Sequence, residues 1–286
     1  MSAGSESRKY AVSEPAADVF FVEGPASNWT VLRRGTAFTL IDSGYPGDLR
    51  AVLDSLDAIG LDPADAAAVL MTHAHVDHAG TAGYFAAAYG IRVLCSAPEL
   101  PYLRGEDRDQ VSVARILSRA WHPSVAHWAL HVLLAGGVAR VAVRTAATWA
   151  DDAELAELPG SPVAVPTPGH TPGHTAFLLP AARAVVTGDA LVTGHAISRR
   201  EGPQMLDPMF HGDDAGARRS LAQLARLDAS LLLPGHGPAV RTGVRQAVGA
   251  VRSRVEPSKR RLVVPGPAGG LAEPTYGREL PEVSGR

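Results

Sequence analysis

Short apolar runs separated by turn residues mark the first part of the chain. Residues 19–22, 29–32 and 37–41 are apolar, and Glu-Gly-Pro and Arg-Arg-Gly segments divide them. Such runs between turns are typical of the strands of an antiparallel meander. Residues 49–59 instead carry apolar residues at helical spacing and stop at Gly60, which predicts a helix.

The next stretch alternates between strand and helix patterns. The apolar run 68–72 predicts a buried strand, residues 81–89 predict a helix that ends at Gly90, and residues 91–95 predict a further strand. Alternation of this kind indicates a mixed sheet that is covered by helices.

Between residues 97 and 138 only helical periodicity remains. Residues 111–121 and 125–134 carry it without strand-like alternation, so we predict a helical insertion over 97–138. After the insertion, strand-like and helical patterns alternate again. The strand patterns are 139–143, 163–166, 175–179, 184–186 and 231–233, and the helical patterns are 215–227 and 241–255.

Polar and turn-forming residues dominate both ends of the chain. Residues 1–12 are polar, and Pro and Gly become frequent from residue 256 on. Both compositions disfavour a packed core. We therefore expect a disordered N-terminus (1–12), one folded domain (13–255) and a largely disordered tail (256–286).

Composition narrows the class of partner. Of the 286 residues, 46% are hydrophobic and 20% are charged, and the formal net charge is −2. This balance is ordinary for a globular protein and offers no strong attraction to nucleic acid or to an anionic membrane, so we expect a small-molecule substrate. The longest apolar stretch, 125–138, is too short to span a bilayer, and the N-terminus has no apolar targeting segment. We therefore expect a cytoplasmic protein.

A cluster of histidine and aspartate follows the apolar run 68–72 and contains His73, His75, Asp77 and His78. In an extended loop alternate side chains point the same way, so His73 and His75 can bind one cation. Asp77 and His78 come where the chain turns into the next helix and can face a second cation. The spacing therefore indicates a metal site.

Three further candidates stand at the ends of strand patterns, each beside Gly or Pro. His170 lies in a Pro-Gly-His-Thr-Pro-Gly loop, Asp189 follows Thr-Gly, and His236 lies in Pro-Gly-His-Gly-Pro. Rigid turn residues fix such side chains at little entropic cost. Since Cys95 is the only cysteine, the ligands are nitrogen and oxygen atoms unless Cys95 itself joins them. His174, four residues after His170, is expected to lie behind a ligand rather than to bind metal.

These motifs, in this order, resemble those of the metallo-β-lactamase fold superfamily, in particular its hydroxyacylglutathione-hydrolase-like and lactonase-like hydrolases. The resemblance covers residues 17–255 and includes Asp42, which ends the third strand pattern in Asp-Ser-Gly. It implies an α/β protein whose fold is an αβ/βα four-layer sandwich of two mixed β-sheets flanked by helices. The site would lie along one edge of the sandwich.

The resemblance also implies a role for each residue. The implied ligands of the first metal are His73, His75 and His170. Those of the second metal are Asp77, His78 and His236. Asp189 would bridge both ions, and Asp42 would steady the loop from behind.

The donor set suits two divalent ions. Five imidazoles and two carboxylates favour Zn²⁺, with Fe or Mn²⁺ as alternatives. Two cations about 3.5–4 Å apart can share a water whose pKa falls toward about 7, which gives a bridging hydroxide. We expect Asp77 and Asp189 to be catalytic, because each would both bind metal and orient the hydroxide.

We therefore predict a metal-dependent hydrolase with a dinuclear zinc centre that acts on a thioester, lactone or ester bond of a small metabolite. The alternative is a mononuclear iron persulfide dioxygenase, which would use fewer of these ligands. A β-lactamase is a weaker hypothesis, because true β-lactamases of this fold lack the aspartate in its Thr-Gly-Asp context. A nuclease is disfavoured by the charge balance. The insertion 97–138 is expected to set specificity as an apolar lid over the metal edge.

The remaining histidines and aspartates have no fixed role at this level. A Gly-rich segment after Asp189 contains side chains that either line the pocket or face solvent, namely His195, His211, Asp213 and Asp214. His127 and His131 are spaced four residues apart in the insertion and are expected to lie on a helix face without a metal.

Overall fold

Two β-sheets form the centre of the protein in a computed structural model that describes residues 10–107 and 121–255. The first sheet has seven strands in the described residues, in the order β1 to β7. They are β1 (Ala11–Ala16), β2 (Val19–Glu23), β3 (Asn28–Arg34), β4 (Ala37–Ile41), β5 (Ala66–Leu70), β6 (Val93–Cys95) and β7 (Ala147–Thr148). Strands β1 to β4 are antiparallel, and β4 to β7 are parallel.

Within the described ranges the second sheet has five strands, in the order β12-β11-β10-β9-β8. They are β8 (Val163–Pro166), β9 (Thr175–Leu179), β10 (Ala184–Gly188), β11 (Leu231–Pro234) and β12 (Val240–Arg241). Only β10 and β11 pair in parallel. Both sheets are therefore mixed, as the sequence predicts.

Most of the helices lie where parallel neighbours require crossover connections; the exceptions are the sixth, which joins the two sheets, and the eighth, which follows the last strand. They are α1 (Leu49–Ile59), α2 (Val76–Ala79), α3 (Ala82–Tyr89), α4 (Leu100–Leu103), α5 (Pro123–Leu134), α6 (Asp152–Glu157), α7 (Asp214–Leu224) and α8 (Val244–Val255). Short 3₁₀ helices are Pro46–Asp48, Pro63–Asp65, Ala97–Glu99 and Pro208–Phe210. Helix α1 ends at Gly60, whose φ of 78° is the left-handed conformation that glycine adopts at helix ends.

Three apolar clusters give the molecule its four layers. Between the sheets, Ile41 and Leu70 of the first sheet share a cluster with Leu233 of the second. The outer face of the first sheet packs on α1 and α3, and that of the second sheet packs on α7 and α8. Strand side chains alternate accordingly: Leu232 faces the helices and Leu233 faces the other sheet. The predicted αβ/βα sandwich is confirmed.

Two local predictions were wrong. Strand β1 begins at Ala11, inside the segment 1–12 that was expected to be disordered, because its backbone pairs with β2 although none of its side chains is buried. Residues 139–143, which were predicted to be a strand, lie within the described residues but form no strand. The backbone N–H of Val143 bonds instead to the carbonyl of Leu103, which leads the segment away from the sheet edge.

The insertion is described in part. Residues 125–134 fall within α5, which starts with a proline in its first turn, where the missing N–H costs nothing. The other predicted helix, 111–121, lies outside the described residues except for Trp121, and so do residues 1–9 and 256–286 of the predicted termini. Among the described helices, none is long and apolar enough to cross a membrane.

Candidate metal centre

Loops that follow the ends of β4, β5, β10 and β11 meet at one edge of the sandwich. The parallel registers set this convergence, because Ile41 pairs with Leu70 and Gly188 pairs with Pro234. The loop between β8 and β9 reaches the same edge, since the Thr175 N–H bonds to the carbonyl of Thr72. All seven candidate ligands of the sequence are brought together there.

The first group consists of His73, His75 and His170. Each pair of ring centroids is 4.7 Å apart. The Nε2 of His170 lies 2.9 Å from the Nδ1 of His75. Three ring nitrogens thus face one point, two of them on buried side chains and one on the half-buried His75.

The second group consists of Asp77, His78 and His236. The Oδ2 of Asp77 lies 3.7 Å from His78 Nε2 and 3.4 Å from His236 Nε2. Asp77 is half-buried, whereas both histidines are buried.

Asp189 stands between the two groups. Its Oδ2 lies 3.4 Å from His170 Nε2 and 3.3 Å from His236 Nε2, and its Oδ1 lies 3.4 Å from His78 Nε2. Close approach of β11 makes this possible, because a Cβ at Gly235 would overlap Asp189 Oδ1. One carboxylate therefore faces donors of both groups.

The donors fit divalent metal ions. Two ligands about 2.1 Å from one tetrahedral ion lie about 3.4 Å apart, which is the spacing that surrounds Asp189. His73 Nε2, His78 Nε2 and Asp189 Oδ1 are buried and have no hydrogen-bond partner. A buried unpaired polar atom costs about 1–3 kcal/mol, and a cation at the centre of the groups would remove that cost.

In three of the candidate ligand imidazoles, the ring nitrogen that points away from the centre, Nδ1, lies beside a hydrogen-bond acceptor. His78 Nδ1 lies 2.9 Å from Asp42 Oδ2, and His236 Nδ1 lies 2.7 Å from the carbonyl of Ala26. The hydroxyl of Thr72 donates to Asp42 and lies 2.9 Å from His73 Nδ1, so it accepts from that ring. Because the acceptors take the Nδ1 protons, each Nε2 keeps a lone pair for a metal.

Asp42 organises this arrangement from the end of β4. Its φ of 60° is left-handed, which aspartate tolerates. Its Oδ1 accepts the backbone N–H of Thr72 at 2.8 Å, and its Oδ2 accepts both the Thr72 hydroxyl and His78. The contacts are those of a residue that steadies the ligand loop.

His174 lies behind Asp189. Its Nε2 accepts the backbone N–H of Asp189 at 3.0 Å, and its Nδ1 lies 2.8 Å from the Thr167 hydroxyl. Burial lowers the pKa of His174 to about 3, so the ring is neutral and can accept. With both nitrogens engaged, it has none to offer a metal.

Glu99 was missed by the sequence analysis. It is fully buried, and it accepts hydrogen bonds from the Ala74 N–H at 2.8 Å, the Thr171 hydroxyl at 2.6 Å and the Gly173 N–H at 2.7 Å. Burial raises its pKa, and these hydrogen bonds oppose the shift. Glu99 therefore ties the loop of His73 and His75 to the loop of His170, a role that no local motif around it indicates.

Protonation differs between the two groups. Burial lowers the pKa of His73 and of His170 well below the ordinary value, so both are neutral. Burial also acts on His236, but Asp189 and Asp77 outweigh it and raise its pKa to about 10. Burial raises the pKa of Asp77, whereas His78 and His236 overcome it and lower that pKa to about 2. A cation that binds the second group therefore takes the place of a proton on histidine.

A cavity of about 80 Å³ opens onto the centre. Its polar wall consists of His75, Asp77, His170, Asp189 and His236. Its apolar wall consists of Tyr45, Val76, Trp128, Val132, Leu206 and Phe210. Trp128 and Val132 come from α5, so part of the predicted lid lies at the metal edge.

The remaining candidates divide between the site and the surface. His195 lines the cavity with its ring 5.1 Å from that of His236, and burial lowers its pKa to about 4. The buried His211 lies 3.3 Å from His170, Nδ1 to Nδ1. Asp213 caps α7, and Asp214 pairs with Arg218.

On the insertion helix, His127 and His131 join no cluster of metal-compatible side chains among the described residues.

A histidine- and carboxylate-lined centre at the edge of an αβ/βα sandwich defines a protein built to hold metal ions. The chain belongs to the metallo-β-lactamase superfamily, whose family model matches residues 22–236.

Known relatives are similar over most of their length. The uncharacterized protein YobT of Bacillus subtilis is 29% identical over 217 residues, which cover 73% of this chain and 84% of YobT. The probable metallo-hydrolase YflN of the same organism is 26% identical over 255 residues, or 82% of this chain and 86% of YflN. A metallo-β-lactamase of Cronobacter sakazakii with a HARLDQ motif superposes with a TM-score of 0.60 at 18% identity, over 86% of this chain and 92% of that one. The last likeness shows the fold alone.

Proposed function

We propose that this protein is a metal-dependent hydrolase with a dinuclear centre, which cleaves a thioester, lactone or ester bond of a small metabolite. The position of Asp189 carries the proposal, because its two oxygens face His78 on one side and His170 and His236 on the other at 3.3–3.4 Å. A carboxylate in that place can bridge two ions. The relative YflN, named as a probable metallo-hydrolase, supports the reaction class.

Zinc is the metal that we propose, with iron and manganese as alternatives. Neutral imidazoles with few carboxylates are typical zinc ligands. Ions of this kind supply Lewis acidity, which polarises a carbonyl and makes water nucleophilic near neutral pH. The groups that would hold the first and second ion are those described above, with Asp189 shared.

The chain's own residues then position the reactants. Asp77 is half-buried at the cavity wall, and its carboxylate and that of Asp189 could accept hydrogen bonds from the attacking water. His195 accepts the N–H of Ile197 on Nδ1 at 3.3 Å, so its proton resides on Nε2. The Nε2–H of His195 is suited to donate a hydrogen bond to an oxygen of the substrate. The apolar wall excludes bulk water from the bond that breaks.

Metal analysis combined with a substrate panel tests the proposal. We expect two zinc ions per chain, and we expect chelation to abolish hydrolysis and zinc to restore it. The panel comprises an acyl-glutathione, an acyl-homoserine lactone, an aryl ester and a chromogenic cephalosporin. One iron per chain with oxygen uptake on a persulfide would contradict the proposal and favour a dioxygenase. Full activity after stringent chelation would contradict both.

A further inference from the structure

A second cavity, of about 430 Å³, lies beside the metal centre. It shares His195 and Leu206 with the smaller cavity that the metal-binding groups line. Those two side chains line both spaces, so the cavities adjoin at His195 and Leu206. A substrate whose reacting bond lies at the metal centre can extend past them into the larger cavity.

Positive charge distinguishes the larger cavity. Among the described residues, four arginines line it, namely Arg199, Arg200, Arg218 and Arg254, and one carboxylate, that of Asp207. Arg218 pairs with Asp214, Nε to Oδ2, at 2.8 Å. If Asp207 and Asp214 each neutralise one of the four arginines, two positive charges remain unneutralised. The chain as a whole has a net charge of −2, so this concentration is local.

The positive charges of Arg199 and Arg200 are not paired with any side chain that the structure describes. Their guanidinium groups make no hydrogen bond or ion pair with the residues that the structure describes. Arg254 donates to the carbonyl of Pro203 at 3.2 Å, which leaves its charge uncompensated. Like charges gathered without partners repel one another, so such a group is stabilised by a bound anion.

The loop that presents Arg199 and Arg200 is held in place. Gln204 is buried, and its backbone pairs with Val192. Its side chain donates to the carbonyl of Arg200 at 2.8 Å and accepts from the hydroxyl of Ser198 at 2.5 Å. The two arginines are therefore presented by a closed loop that starts near the centre, and a ligand that they bind need not order the loop.

We propose that this cavity binds an anionic group of the substrate, a carboxylate or a phosphate, while the scissile bond lies at the metal centre. The guanidinium fork binds both anions in a bidentate manner. Ile197, Met205, Leu206 and Val251 also line the cavity, which gives the organic part of the substrate an apolar surface. This proposal rests on the proposed hydrolase function and restricts its substrate to anionic metabolites.

A set of matched esters tests the proposal on the full-length, zinc-loaded protein. The probes are the mono-p-nitrophenyl ester of glutaric acid, its amide-terminated analogue and a phosphonate-terminated analogue. We expect kcat/KM to be about tenfold to a hundredfold higher for at least one charged ester than for the amide. In the double variant Arg199→Gln/Arg200→Gln that ratio falls toward one, mainly through KM.

Arg226→Gln is the control, because Arg226 is exposed and lies outside the cavity, and we expect it to retain the wild-type ratio. The better of the two charged esters identifies carboxylate or phosphate as the anion. Equal kcat/KM for charged and neutral esters in the wild type would overturn the proposal while leaving the hydrolase function intact. So would a double variant with the wild-type ratio.

A binding measurement separates this proposal from the proposed function. Calorimetric titration of glutarate and of inorganic phosphate into the metal-free protein requires no turnover. We expect at least one of them to bind the wild type and the Arg226→Gln variant, and to bind the double variant at least tenfold more weakly. If the whole substrate panel and these esters are left intact, the hydrolase function fails, and this binding result still decides the anion site. Absence of binding to the wild type would overturn the proposal.

Discussion

The polar wall and the apolar wall of the catalytic cavity are held by different forces. In the polar wall, the carbonyl of Ala26 fixes Nδ1 of His236 and so aims its Nε2 at the centre, and Asp42 fixes the ring of the neighbouring ligand His78 in the same way. In the apolar wall, Trp128 and Phe210 meet edge to face with ring centroids 5.5 Å apart, and packing holds them. Directional bonds tolerate little change, whereas packing can readjust.

This difference teaches that chemistry and specificity are separable in this fold. A change in the polar wall, or in the side chains that support it, should weaken metal binding, activity or stability. A change in the apolar wall should shift the choice of substrate and leave the metals in place. Four substitutions test that contrast, beginning with the one of largest expected effect.

Replacement of Asp189 should have the largest effect. Asp189→Asn keeps the size of the side chain but removes the charge that faces both groups. If bridging supplies about 4 kcal/mol of transition-state stabilisation, kcat/KM falls about 1,000-fold, and we expect at least one metal ion per chain to be lost. Asp57→Asn, on the exposed side of α1, is the control and should change neither. Two tightly bound ions in Asp189→Asn would contradict the bridging role.

Replacement of Asp42 should weaken the same wall without removing a ligand. Asp42→Asn turns an acceptor of the His78 proton and the Thr72 hydroxyl into a potential donor. Loss of such a supporting bond typically lowers metal affinity about 10–100-fold. Competition with a calibrated chelator measures this, and metal content at saturation should stay at two per chain. An unchanged affinity would show that the imidazoles need no support.

Replacement of Glu99 should act on stability. In Glu99→Gln the new amide N–H₂ faces an N–H or hydroxyl donor, since all three contacts of Glu99 are donors. A buried donor left unpaired costs about 1–3 kcal/mol. Denaturant unfolding of the metal-free protein should show that loss, whereas Glu157→Gln at the exposed end of α6 should not. Equal stability of the two variants would argue against the link between loops.

Replacement of Trp128 should have the smallest effect and should fall on specificity. Trp128→Leu enlarges the apolar wall, so the ratio of kcat/KM for a bulky acyl ester over a short one should rise by up to about tenfold. Metal content should not change. Trp121→Leu is a matched control, because Trp121 is 75% exposed. If Trp128→Leu lost metal instead, the two walls would not be separable.

The sequence predicted the polar wall better than the apolar one. His170, Asp189 and His236 stand in short motifs beside Gly or Pro at strand ends, so the local sequence is enough to indicate their role. Glu99 and His211 reach the centre only through tertiary contacts with loops distant in sequence. No spacing rule relates such residues before the fold is known.

Strand errors have a related cause. Strand β1 has no buried side chain and contains Pro15, so it lacks the apolar alternation that marks a strand and depends on its backbone pairing with β2. Residues 139–143 have an apolar pattern but bond to Leu103 rather than to a neighbouring strand. Pairing is a property of the whole fold, and the local pattern does not determine it.

Anomalous scattering at the zinc edge from crystals of the zinc-loaded protein tests the central claim most directly. The account predicts two peaks about 3.5–4 Å apart, one among His73, His75 and His170 and the other among Asp77, His78 and His236. The Asp189 carboxylate should reach both. A single peak, or a second peak away from Asp77, His78 and His236, would contradict the dinuclear centre.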